Sequence, residues 1–214
     1  EPQTSRAQHI QAFAPYLLLA YIVGVGFMLA RFSMSIIGSS RLRRTIRPIT
    51  DVKLLRTIAE QCVRVGLKRI PIVALCQRVS VPVVVGIVKP MILLPPALLC
   101  GLDPNQIAAI LSHEIAHIRR YDLIVNFLQR IVEALLFFHP VTWWISRRVS
   151  IERENCCDDV AAACVGRLPY AGALLQMAEL CIGNDRRRSA ALATLSASGS
   201  NSTDLGYRIR RLIG

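Results

Sequence analysis

Hydrophobic positions along this chain change their spacing three times. They begin as an unbroken block. From Ala7 to Ala30 no residue is charged, and "AFAPYLLLAYIVGVGFMLA" at Ala12–Ala30 is apolar apart from two tyrosines. At about 1.5 Å rise per residue, such a helix nearly matches a hydrocarbon core of roughly 30 Å. Phe32, Met34, Ile36 and Ile37 lengthen it, so a transmembrane helix is expected over residues 12–37, with 1–11 as an extracytoplasmic flank. Tyr16 and Tyr21 lie toward its N-terminal end, where interfacial aromatics belong. A cleaved signal peptide would carry its basic residues ahead of a shorter block. Here Arg41, Arg43, Arg44, Arg47 and Lys53 come after it. That bias predicts that everything downstream faces the cytoplasm.

Beyond the block, the apolar positions become periodic. Asp51–Leu67 has helical spacing, with Val52, Leu55, Ile58, Ala59, Cys62 and Val63 on one side. The β-branched runs "RIPIVALC", "VPVVVGIV" and "PMILLP" follow, punctuated by Pro71, Pro82, Gly86, Pro90 and Pro95. They predict three short strands, because proline is tolerated only at strand starts and edges. Helical spacing then returns. Near the end, "RRRSAALATLSASGSNSTDLG" reads as a flexible loop. The expected fold is α+β and mainly helical, with a small sheet, over residues 48–214.

Composition adds a few constraints. Hydrophobic residues make up 53% of the 214, which is high for a soluble domain and agrees with partial membrane residence. The net charge of +12 would suit nucleic acid, but no stacking aromatics are interleaved with the arginines, and a membrane-flanking cluster explains much of it. No nucleic-acid partner is expected. Seven cysteines without an even framework predict a reducing compartment. Without an initiator Met, the chain reads as a piece of a longer protein.

The chemistry lies in "LDPNQIAAILSHEIAHIRRYD". Asp103 as N-cap, Pro104 in the first turn and Gln106 form a helix start signal. Ile107, Ile110, Leu111, Ile115 and Ile118 keep helical spacing, so His113 and His117, four apart, share a face. That spacing lets two imidazoles reach one Zn²⁺ at about 2.0–2.1 Å. Glu114 beside them can take a proton from an attacking water.

A catalytic zinc needs a third protein ligand and an open position. "IERENCCDDV" supplies candidates on a helix expected over Arg147–Val165 and ended by Gly166. Glu154 and Asp158 are again four apart. Glu154 is the expected third ligand, an oxygen donor, and Asp158 can accept the N–H of a ligating histidine. Cys156 and Cys157 point elsewhere on the wheel and read as small hydrophobes, while Glu152 and Asp159 read as solvated.

"SHEIAH" followed by "FFHPVTWWISRRVSIERENCCDD" resembles the integral-membrane zinc peptidases of the bla-regulator and methicillin-resistance sensor-transducer family. These are gluzincins with H-E-x-x-H and a downstream E-x-x-x-D. The resemblance covers roughly Leu54 to Leu212. It implies His113, His117 and Glu154 as zinc ligands, Glu114 as base and Asp158 as the orienting carboxylate. It also implies further membrane helices before and after this piece, in the cytoplasmic membrane. No penicillin-binding segment is present. Related heat-shock and prenyl-protein peptidases carry R-I-x-x-L near the domain end. "RIRRL" at Arg208–Leu212 is similar, which makes Arg208 a candidate for the site, against the alternative of a basic surface helix. Tyr170 is a candidate for oxyanion support, against a buried core tyrosine.

Between the two motifs, "DLIVNFLQRIVEALLFFHPVTWWIS" is apolar enough to raise a second span. Arg130 and Glu133 oppose this, and Pro140 would break the helix before it crossed. A helix against the core or at the membrane face is expected, with Trp143 and Trp144 near the headgroups. His139, before a proline and among aromatics, reads as structural. The combined expectation is a membrane-tethered zinc endopeptidase acting on a protein or peptide. The substrate would be a cytosolic repressor or the chain itself, bound extended along an edge strand within Val83–Ile92. Membrane-protein quality control and a non-hydrolytic zinc scaffold are the alternatives. A homodimer stays open.

Overall fold

The computed structural model describes residues 2–42, 46–188 and 202–214. Helix α1, Pro2–Leu42, is one continuous rod. Its window Pro15–Met34 has a mean hydropathy of 1.9 and none of it is buried. Among the described residues it is the only helix long and apolar enough to cross a membrane. Arg43 and Arg44, part of the basic cluster behind it, lie outside the described residues.

Helix α2, Val52–Val65, is capped as its sequence suggests. The Asp51 carboxylate accepts the Lys53 N–H at 2.9 Å, and Gly66 ends the helix at φ 80°, where a side chain would be strained. The sheet contains β1 (Arg47–Pro48), β2 (Ile72–Leu75), β3 (Val83–Val85) and β4 (Met91–Leu94), in the order β1-β2-β4-β3. Strands β2 and β4 are parallel, with Ile72 opposite Met91, and β3 runs antiparallel to β4, with Val83 opposite Leu93. The three expected strands are present. The short β1 adds an antiparallel edge, which its Pro48 could occupy only at a margin.

After α3 (Pro96–Gly101) comes α4, Pro104–Arg119, opened by a complete capping box. The Asp103 carboxylate accepts from the Asn105 and Gln106 N–H groups at 2.7 and 3.1 Å, and the Gln106 side chain accepts from the Asp103 N–H at 3.0 Å. Helix α4 sits between two cores. On one side Leu111 and Ile115 pack with Ile58 of α2 and Ile92 of β4. On the other, Ala109 and Ile110 meet Ala161, Tyr170 and Ala173. Burying one such Leu or Ile is worth about 1.5–3 kcal/mol, and α4 contributes several. The helix carrying His113 and His117 is therefore anchored from both sides.

Helix α5 covers Asp122–Leu135, α6 Pro140–Val165, α7 Arg167–Arg188 and α8 Ser202–Ile213. Helix α6 begins seven residues before the expected Arg147, because Pro140 starts a helix as readily as it ends one: at N1 its missing N–H has no partner to lose. The expected Ser/Ala-rich loop shrinks from both ends, with residues 186–188 in α7 and 202–206 in α8. Its remainder lies outside the described residues.

Candidate metal centre

The two cores lock α4 against α6, and this brings the three expected ligands together. His113 Nε2 and His117 Nε2 are 3.1 Å apart. Glu154 Oε2 lies 3.5 Å from His113 Nε2, and Oε1 lies 3.7 Å from His117 Nε2. A tetrahedral zinc with ligands at about 2.0–2.2 Å requires its donor atoms to stand about 3.3–3.6 Å apart. These separations, measured to the two oxygens of the Glu154 carboxylate, bracket that spacing, and a donor set of two imidazole nitrogens and a carboxylate suits zinc. The residues fit the ion.

Each imidazole is held from behind. His117 Nδ1 stands 2.8 Å from Asp122 Oδ2, so the N–H sits there and leaves Nε2 free to ligate. Asp122 comes from the first turn of α5. Tyr121 reaches it through a left-handed residue at φ 58°, a conformation that non-glycine residues seldom adopt. The buried Cys157 thiol adds a contact of 3.4 Å to the same carboxylate oxygen and lies 3.3 Å from His117 Nδ1. Burial and the adjacent Asp122 charge push that thiol far above its usual range, so it keeps its proton and donates to Asp122. His117, Asp122 and Cys157 also bring one donor atom each within 4.8 Å of one another, a second grouping with the spacing to hold an ion, and His117 is shared by both.

His113 is held through a longer chain of groups. Its Nδ1 is 2.8 Å from the Tyr170 hydroxyl, which donates to Asp158 Oδ1 at 2.6 Å. Asp158 Oδ1 also lies 3.1 Å from Nδ1. Arg208 of α8 closes the cluster with a two-pronged grip on Asp158, Nε to Oδ2 at 2.8 Å and Nη2 to Oδ1 at 2.5 Å. It also reaches toward Glu154 Oε2 at 3.5 Å. Asp158 is wholly buried, so Arg208 neutralises a charge that water cannot reach.

The electrostatics follow from this arrangement. Burial lowers the His113 pKa, but the Asp158 and Glu154 carboxylates outweigh it and push the value up to about 9. Burial raises Glu154, but the two histidines and Arg208 outweigh it and hold it down to about 2. Burial raises Tyr170 far above the usual phenol range, and Asp158 adds to it, so the hydroxyl keeps its proton.

The structure therefore brings His113, His117, Glu154, Asp158, Tyr170 and Arg208 into one cluster. Tyr170 is buried, with its hydroxyl 2.8 Å from His113 Nδ1, on the edge of the ring away from Nε2. Arg208 reaches the same cluster through Asp158. Glu114 is nearly buried, at 9% exposure, and makes no hydrogen bond or ion pair among the described residues. Asp159 is exposed but paired with Arg211 at 2.6 Å. His139 stands before α6 with no capping bond. Sequence reasoning missed Asp122. Its signal was an acidic residue in the first turn of the helix that follows the motif.

A family model described as BlaR1 peptidase M56 matches residues 1–205, from α1 into α8. The chain belongs to this peptidase family. It is 22% identical over 138 residues to the regulatory protein BlaR1 of Bacillus licheniformis, a match covering 64% of this chain and 23% of that protein. It is 30% identical over 77 residues to the methicillin resistance mecR1 protein of Staphylococcus aureus, covering 36% of this chain and 13% of that one. The mecR1 protein of Staphylococcus epidermidis matches to the same extent. The chain thus spans less than a quarter of the length of these relatives.

Proposed function

We propose that this chain is a membrane-tethered, zinc-dependent endopeptidase with its peptidase domain at the cytoplasmic face. It hydrolyses peptide bonds of a cytosolic or membrane protein as a step in signal transduction. The observation that carries this reading is the triangle of His113 Nε2, His117 Nε2 and Glu154 carboxylate oxygens, with separations of 3.1, 3.5 and 3.7 Å. A zinc ion held by His113, His117 and Glu154 would supply Lewis acidity toward the scissile carbonyl and a water. Glu114 takes the proton from the attacking water and hands it to the departing amine. Asp122 and Asp158 keep the two imidazoles in the ligating tautomer. Strand β3 lies on the edge of the sheet and packs against α4, so an extended substrate can add a strand beside it.

The relatives' names, a regulatory protein and a methicillin resistance protein, favour a signalling substrate, either a cytosolic repressor or the protein's own chain. The cytoplasmic orientation rests on the arginines that follow α1. The test combines zinc content with cleavage of a protein substrate in detergent. Glu114→Gln should retain zinc and lose turnover, whereas His113→Ala and Glu154→Ala should lose both. Cleavage that survives Glu114→Gln would overturn the reading.

A further inference from the structure

We propose that the α5–α6 hairpin is a re-entrant element, dipping into the bilayer beside α1 and turning back near mid-depth. Helix α5 runs antiparallel along α1. At one end Phe32 meets Phe127, with ring centroids 5.4 Å apart. At the other, Tyr21 stacks on Phe137 at 6.2 Å and donates its hydroxyl to the Leu135 carbonyl at 3.2 Å. Gly24 makes the close approach possible: a Cβ there would stand 2.3 Å from the Phe137 ring. The apolar window of α1 ends at Met34. At about 1.5 Å per residue, Gly24 and Tyr21 lie about 15 and 20 Å inside that end. The hydrocarbon core is about 30 Å thick. The turn at Leu136–Pro140 is therefore carried to the middle of any bilayer that α1 spans.

The hairpin is dressed for that position. Ile124, Leu128, Val132, Leu135 and Phe138 are exposed along its outer side, with Trp144 on the returning helix. Most of its polar groups are paired inside, although Gln129 Oε1 is buried without a partner among the described residues. Gln129 donates to the Ser146 hydroxyl and, at 3.0 Å, to the Ser146 carbonyl, while Ser146 donates to Glu133. Arg130 pairs with Glu133 at 2.6 Å. It lies only one turn deeper than Phe127, within snorkelling reach of the headgroups. On the way out, Arg148 lies over Trp144, 6.0 Å from the ring, where a cation and an indole suit the interface. Pro140 thus ends one membrane half-helix and starts the next. Glu154 follows Pro140 by about 21 Å of helix, which puts the ligand cluster just outside the bilayer surface.

The two native tryptophans, Trp143 and Trp144, both lie on this hairpin, so replacing them with Phe gives a silent background. Three single-tryptophan probes are then placed in the full chain: Phe27→Trp on α1, Phe138→Trp at the turn and Tyr121→Trp before α5. The protein is reconstituted in phosphatidylcholine vesicles brominated at shallow, middle or terminal acyl positions. Emission from the Phe27 and Phe138 probes should be blue-shifted and lost most to middle or terminal bromines, with no loss to iodide. The Tyr121 probe should lose emission to iodide. A Phe138 probe quenched by iodide, or only by shallow bromines, overturns the proposal, as does a Phe27 probe that never responds to deep bromines. A Phe138 probe indifferent to both quenchers also overturns it, because protein (a second copy or another helix) then covers the turn.

Discussion

Replacing Arg208 with Met should destabilise the fold by about 3–5 kcal/mol, the usual cost of leaving one member of a buried ion pair alone. The magnitude follows from Asp158. Its side chain is wholly buried and loses two charge-assisted hydrogen bonds, at 2.8 and 2.5 Å, while keeping only the Tyr170 and His113 contacts. The Asp158→Asn/Arg208→Met double variant should recover most of the loss, because the uncompensated charge is gone. Thermal unfolding of the four proteins in detergent gives the cycle. The sign of the pH dependence checks the cause. Burial raises the Asp158 pKa, but the hydrogen bonds from His113 and Arg208 outweigh it and hold the carboxyl well below the usual range. A depressed folded pKa stabilises above the unfolded value of about 3.9 and is lost as pH falls below it. Arg208→Met should therefore flatten the acid limb of stability. A loss under about 1 kcal/mol, or single effects that simply add, would refute the pairing.

Other consequences can be checked separately. The proton on His113, held up to about pH 9, must leave before zinc binds, so zinc affinity should rise about tenfold per pH unit from neutrality toward 9; a flat competition titration would contradict this. Asp122→Asn should weaken zinc binding by about 10–100-fold while keeping one ion per chain at saturation, read by the same titration. Cys156→Ser and Cys157→Ser should leave zinc stoichiometry unchanged, with at most about 1–2 kcal/mol lost at the buried Cys157 in thermal unfolding. Gly24→Leu should drive a side chain into Phe137 and cost about 1–3 kcal/mol of helix packing, measured as a lowered melting temperature in detergent.

The two pairs of candidate residues were legible because helical periodicity aligns residues four apart. His113 with His117 and Glu154 with Asp158 each needed only the 3.6-residue turn. What periodicity does not encode is which helices meet. Tyr170 and Arg208 sit on α7 and α8, and only the packing of Ala161, Ala173 and Leu212 behind α4 brings them to Asp158. For the same reason sequence alone does not show that Tyr170, fully buried in the core, also places its hydroxyl between His113 and Asp158. Asp122 depended on a left-handed Tyr121, a conformation that no residue propensity predicts. The start of α6 is not legible because proline breaks a helix in its interior but suits its first position, and Pro140 opens α6.

The arrangement of charges accounts for why the ligands stand ready at the spacing of a metal cage. Two imidazoles and a carboxylate brought together in a partly dry site would relax apart if each were held only by its own helix. Here every ligand is braced by an element other than its own: His117 by Asp122 of α5, His113 by Tyr170 of α7 and Asp158 of α6, and Glu154 by the Arg208 guanidinium of α8. The elevated His113 and depressed Glu154 pKa values mean that imidazolium and carboxylate attract across the cage. The proton on His113 thus draws these groups to the spacing that a zinc ion would need. A metal bound there would exchange one cation for another on prebuilt groups, with little conformational ordering left to oppose it.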